Sequence, residues 1–157
     1  MMIARNALYF EDYVLSIQYF NQVISAKPYL FEPYFFRGLA KINLDDYQGA
    51  EADCDEAIRR NPFVVGAYQV RGLARIRQNN FDGAIEDYRM ALKYDPENVV
   101  LWHNLTLCHM QKGDYTAAKD DLAKLLAVSP RYTRAYLMRG DVNLRQNDTI
   151  NALKDFN

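Results

Sequence analysis

The sequence predicts an all-α fold, a stack of antiparallel helix-turn-helix hairpins that recur every 34 residues. Three observations carry this. Four of the five prolines, Pro28, Pro62, Pro96 and Pro130, stand in one series, and only Pro33 lies outside it. Tyr34, Tyr68, Trp102 and Tyr136 follow the same step, as do Ala50, Ala84, Ala118 and Ala152. Between these markers, apolar and small residues return at three- and four-residue spacing, the period of an amphipathic helix. A repeat of this length is one supersecondary unit that buries its apolar face against its neighbours.

Taken in order, the first unit spans about 1–30 and is partial, with a short opening helix. The second, 31–64, has helices from about Phe31 to Leu44 and from about Tyr47 to Arg60. The third and fourth cover 65–98 and 99–132. The fifth, 133–157, is partial and stops within its second helix. All are read as one domain, 1–157. Asp12, Asp46, Asn80, Asp114 and Asp148 stand before the second helices, where a short polar side chain caps the first turn. An aromatic follows in four units, at Tyr13, Tyr47, Phe81 and Tyr115, and packs at the hairpin corner; Thr149 is the exception. Each second helix ends near the repeat's proline, which disfavours helical geometry in the residue before it.

Folding a hairpin about its turn places Gly38 opposite Cys54 and Tyr34 opposite Ala57. Glycine inside a helix costs about 1 kcal/mol relative to alanine, so its return at Gly38, Gly72 and Gly140 points to close helix approach that offsets the loss. Thr106 takes its place in the fourth unit, where looser packing is expected. Arg37, Arg71 and Arg139 precede the glycines and mirror Asp53, Asp87 and Asp155, which predicts three ion pairs within hairpins. In the fourth unit Asp121 faces Leu105, and in the first neither charge is present. The alternative is that these charges face water.

Half the residues are apolar and a quarter charged, as in soluble folded proteins, and the formal charge of -1 supplies no chain-wide footprint for nucleic acid. Met1 to Phe10 lacks the pattern of a secretory signal, and no segment is apolar for the roughly 18 residues of a membrane span. The compartment is not readable, with the cytoplasm favoured. Cys54 and Cys108 form no CxxC pair and read as buried thiols.

The chain holds no GxSxG, HExxH, phosphate loop or dinucleotide fingerprint, so no enzyme activity, catalytic residue, cofactor or metal is expected. His103 and His109 are six residues apart on one helix and point to different faces. The acids from Glu51 to Glu56 are spread around a helix and read as a solvated face.

Large aromatic, small residue four later, alanine twelve after that and proline another twelve on is the pattern of tetratricopeptide repeats, which this chain resembles over nearly its whole length, with the family's tryptophan at Trp102. The resemblance implies a right-handed superhelical solenoid whose first helices line a concave groove for a protein or peptide. The groove positions that match are Phe35, Phe36, Leu39 and Asn43, then Gln69, Leu73 and Arg77, then His103, Asn104, Leu107 and Gln111, then Arg134, Leu137, Asp141 and Arg145. Leu39, Leu73 and Leu107 form an apolar strip, or else fill space between adjacent helices. Phe35 is the expected hot spot, as an exposed aromatic offers large contact area.

The family's clamp for the terminal carboxylate of chaperones is matched poorly. Gln69 and Leu73 stand where lysine and asparagine are wanted, Asn104 is kept, and Arg134 is followed by Met138. The expected role is a protein-protein interaction scaffold with a partner of unknown identity, without nucleic acid or a membrane span. The alternative is a structural spacer, or a self-associating segment of a longer multi-domain protein. End-to-end contact through the partial terminal units would follow from the uncovered apolar residues Ala152, Leu153 and Phe156.

Overall fold

The computed structural model describes the backbone of residues 2–146 and 154–156, and side chains from residue 11 onward within them. Among the described residues eight helices follow one another: α1 (Met2–Ala26), α2 (Glu32–Asn43), α3 (Tyr47–Arg60), α4 (Val65–Arg77), α5 (Phe81–Tyr94), α6 (Val99–Gln111), α7 (Tyr115–Val128) and α8 (Thr133–Arg145). Residues 154–156 are helical as well. The chain divides into two compact units, Met1–Asn80 and Phe81–Asn157, each described here by itself.

The turn inside each hairpin is built on one conformational device. Asp45, Asn79 and Gly113 take the left-handed backbone region, at φ 61°, 61° and 76°. These three positions share the repeat's step. The amide that follows each bonds back into the helix just ended: Asp46 N to Lys41 O at 2.9 Å, Asn80 N to Arg75 O at 2.8 Å, and Asp114 N to His109 O at 2.9 Å. Such bonds satisfy carbonyls left open at a helix C-terminus, and Gly, Asn and Asp are the residues that reach this conformation most readily. Asp46 and Asp114 then cap the next helix, accepting from Gly49 N at 2.9 Å and Ala117 N at 3.2 Å.

One predicted turn is absent. α1 runs unbroken through Asp12, where the spacing predicts a cap and a new helix. The position before it holds Glu11, a good helix former with no affinity for the left-handed region, so nothing stops the helix. The cap expected at Asp148 lies outside the described residues.

The turn between hairpins explains why the repeat needs an aromatic with a polar tip. Tyr68 hydroxyl donates to Pro62 O, Trp102 Nε1 to Pro96 O and Tyr136 hydroxyl to Pro130 O, each at 2.8 Å. The ring fills the core while its tip holds the loop that the proline begins. At Pro28 the carbonyl accepts instead from Arg60 Nε at 2.8 Å, and Arg60 lies over the Tyr34 ring.

In the first unit α1 packs on α2, α2 on α3 and α4, and α3 on α4. Tyr34, Ala57 and Ala67 form a buried cluster with Ile24, Phe35, Ile58 and Val64 against it. Gly38 lies so close to α3 that an added Cβ would sit 3.3 Å from Ala50 O and 3.4 Å from Cys54 Sγ. Large meets small as expected. In the second unit α5 packs on α6, α6 on α7 and α7 on α8, and the core is Ala118, Leu122, Leu125, Ala135 and Val142. Thr106 is fully buried and its hydroxyl donates to Trp102 O at 2.8 Å, so no loosening occurs at that residue.

Candidate functional site

Two of the expected ion pairs are present at short range. Arg37 Nη2 and Nε donate to both oxygens of Asp53, at 2.6 and 2.8 Å, and Lys41 Nζ reaches the same carboxylate at 3.0 Å. Asp53 is only 3% exposed, and its bond holds the Arg37 guanidinium above the ordinary range. Arg139 grips Asp155 through Nη2 at 2.6 Å and Nε at 3.0 Å, with Asn143 Nδ2 at 3.3 Å. Arg71 meets Asp55 at 2.8 Å and Arg75 meets Glu51 at 3.3 Å, while Glu56 holds Arg59 and Arg60. The acidic run of α3 is thus a row of carboxylates held by bases.

On the face of the first unit expected to line a groove, the two phenylalanines differ from expectation in exposure. Phe35 is half-buried, because Gly66 of α4 leaves room for its ring; a Cβ there would fall 2.8 Å from Phe35 Cζ. The exposed aromatic is Phe36, at 45%. Its ring stacks on Phe20 of α1 at 5.9 Å, Phe20 meets Tyr19 edge-on at 5.5 Å, and Leu39 is exposed one turn along α2. Tyr19 and Phe20 were not among the predicted site residues. Their signal was the aromatic content of α1, which lacks the charged pair of later units. Gln69 and Leu73 are half-buried on α4, and Arg77 and Asn43 are exposed.

On the face of the second unit expected to line a groove, His103 and Asn104 are half-buried, and Leu107 and Gln111 are exposed. His103 Nδ1 lies 3.0 Å from the Tyr132 hydroxyl. Burial, followed by nearby Arg134, pushes the His103 imidazole below its ordinary range, so it accepts from Tyr132 as the neutral ring. Leu107, Gln111, Asp141 and Arg145 come together around a cavity of about 470 Å³ with Met110 and Tyr115. Arg145 Nε reaches Asp141 at 3.4 Å. Arg134 and Leu137 are exposed on α8.

Behind this face lies a buried polar cluster that spacing alone did not reveal. His109 Nδ1 and Asp121 Oδ2 are 2.5 Å apart, at 4% and 6% exposure. Burial raises the Asp121 carboxyl above its ordinary range, with the His109 bond opposing it. Cys54 and Cys108 are fully buried thiols, and burial pushes Cys108 up to about 12, which leaves it protonated and unreactive. The Tyr88 hydroxyl is buried next to Asn104 and Cys108 with no hydrogen bond of good geometry. Among the described residues no group of three or more histidine, cysteine or acidic side chains could hold a metal ion. No helix among them is long and apolar enough to cross a membrane.

Paired helices, proline-tied aromatics and capped left-handed turns define an all-α protein of repeated helical hairpins. The chain belongs to the tetratricopeptide repeat family, whose models match residues 35–99 and 75–139. Its fold is similar to the crystal structure of MamA, with a TM-score of 0.90 at 19% identity over 93% of this chain and 85% of that one. A MamA segment from Desulfovibrio magneticus RS-1 superposes with a TM-score of 0.88 at 19% identity, covering 98% and 87%. YrrB, described as a TPR protein with an unusual peptide-binding site, matches with a TM-score of 0.85 at 12% identity, covering 92% and 75%. A search of curated protein sequences finds no match.

Proposed function

We propose that this chain is a protein-interaction scaffold that holds a peptide or helix of another protein on the groove faces of its first helices. The observation that carries this reading is the exposed patch of Tyr19, Phe36 and Leu39 in the first unit, rigidly backed by Phe20 and Phe35. Aromatics held in place by packing bind with little further loss of entropy. The polar counterpart is the second unit's Gln111, Asp141 and Arg145, which offer donors and acceptors beside Leu107. An amphipathic segment with apolar anchors suits the first surface, and a polar or charged stretch suits the other. The peptide-binding site attributed to YrrB supports the reading by analogy of fold alone.

The test is capture of partners by the full chain carrying a photo-crosslinking residue at Phe36, compared with one at Arg59 on the exposed side of α3. A partner recovered from Phe36 should be lost with Phe36→Asp or Leu39→Asp while the circular dichroism melt is kept. Equal capture by these variants and by the unsubstituted chain would remove the groove from consideration.

A further inference from the structure

Within this chain, an arginine that lies between an aromatic ring and a buried carboxylate is a recurring arrangement. Arg37 Cζ is 5.6 Å from the Tyr34 ring centroid and its fork closes on Asp53. Arg139 Cζ is 5.2 Å from the Tyr136 centroid and its fork closes on Asp155. At the same register the fourth repeat keeps the ring, as Trp102, and the acid, as Asp121, but has Leu105 where the guanidinium belongs. Leu105 is 2% exposed and too short to fill the place. A cavity of about 360 Å³ opens there, lined by Trp102, Leu105, His109, Ala117 and Asp121.

Asp121 is more than nine-tenths buried, and His109 takes only one of its oxygens, Oδ2. In the filled repeats both oxygens of the acid are used. Tryptophan gives the strongest cation-binding face of the aromatic side chains, and Lys124 Nζ already sits 5.3 Å from its centroid. We propose that this cavity binds a guanidinium group, the arginine side chain of a partner protein, which supplies in trans what Arg37 and Arg139 supply within their own hairpins. Leu105 and His109 stand two residues from Leu107 and Gln111, a rotation of about 200° around α6, so this site is separate from the groove face and does not depend on it.

Arg89, Lys93 and Lys124 also border the cavity and are exposed. Their repulsion is screened by salt, whereas the contact with buried Asp121 is not. They make an anion the rival ligand, and the test includes it.

Trp102 is the single tryptophan of the chain and reports directly on the cavity. N-acetyl-arginine methylamide, titrated into the full chain at constant ionic strength, should change its fluorescence saturably. N-acetyl-lysine methylamide should bind about tenfold more weakly, since an ammonium cannot fork across a carboxylate. Asp121→Asn should abolish the response with its thermal melt retained. Leu105→Arg should abolish it too and raise the melting temperature, by filling the cavity from within; if that variant does not fold, Asp121→Asn decides. No saturation with the arginine derivative, an equal response to the lysine derivative, a response to inorganic phosphate alone, or binding retained in Asp121→Asn would each overturn the proposal. Tighter binding of free arginine than of the blocked form would overturn the assignment to a partner's side chain.

Discussion

Arg37 and Asp53 illustrate what a buried ion pair does in a repeat. Taking both charges from water costs several kcal/mol, so their attraction adds little net stability; what it fixes is which residues of the two helices face each other. Removing only the cation leaves the carboxylate short of partners. Arg37→Met should therefore lower unfolding free energy by about 2 kcal/mol, tempered by Lys41, which still reaches Asp53. Urea denaturation measures this, and an unchanged midpoint would mean that the pair is solvated. A second residue-scale prediction concerns pH. His103 has its folded pKa lowered from 6.5, so its contribution is fully present above that value and is lost as pH falls through 6.5 toward the folded pKa. His103→Gln should flatten that part of the melting-temperature profile, and a proton NMR titration should place the imidazole below 6.5. The Arg–Asp register was legible because mirror positions about a turn can be counted in sequence. The difference in exposure between Phe35 and Phe36 was not, since it depends on Gly66 of another helix making room for one ring. The only trace of it was a glycine outside the 34-residue series.

At the scale of the element, each hairpin is decided by two kinds of turn. The left-handed residue at Asp45, Asn79 or Gly113 ends one helix, and at Asp45 and Gly113 it lets the next reverse. This series was present in the sequence as Asp, Asn and Gly, and it explains Glu11 as well: a unit without such a residue continues as one long helix. The caps were legible because they are chemical. The absence of a turn at Asp12 was not legible from the cap, since a good cap cannot start a helix where the preceding one has not stopped. Gly113 has open space around its Cβ position, so a substitution there tests backbone conformation alone. Gly113→Ala should cost about 1 kcal/mol, and Gly113→Asn less, as asparagine reaches the left-handed region more easily. Equal costs would assign the effect to something other than φ. Gly38 is the opposite case. Its Cβ would press on Ala50 O at 3.3 Å, and backbone cannot step aside as a side-chain tip can. Gly38→Val should destabilise by about 3 kcal/mol through overpacking, more than the gain in helix propensity returns.

For the whole molecule, the repeat makes stability a sum of local terms. Stacked hairpins touch their neighbours in sequence, so each element owes its stability to the adjoining ones rather than to a single central core. The 34-residue period, read from prolines and aromatics, was sufficient to give the class of fold, because every unit restates the same packing problem. The faces proposed to meet a partner are where the units differ from one another, and a period carries no information about differences. Leu122 tests the local character directly. It is fully buried in the second unit's cluster with Leu125 and Val142, and Leu122→Ala should cost about 3 kcal/mol in lost transfer energy and cavity formation. In a protein with one global core that loss would be felt equally everywhere. Here native-state hydrogen exchange should show faster opening of α6, α7 and α8, with the amides of α2 and α3, packed around Tyr34, Ala57 and Ala67, keeping most of their protection. A uniform drop across all these helices would show instead that the hairpins unfold as one cooperative body, and the additive picture of the repeat would have to be given up.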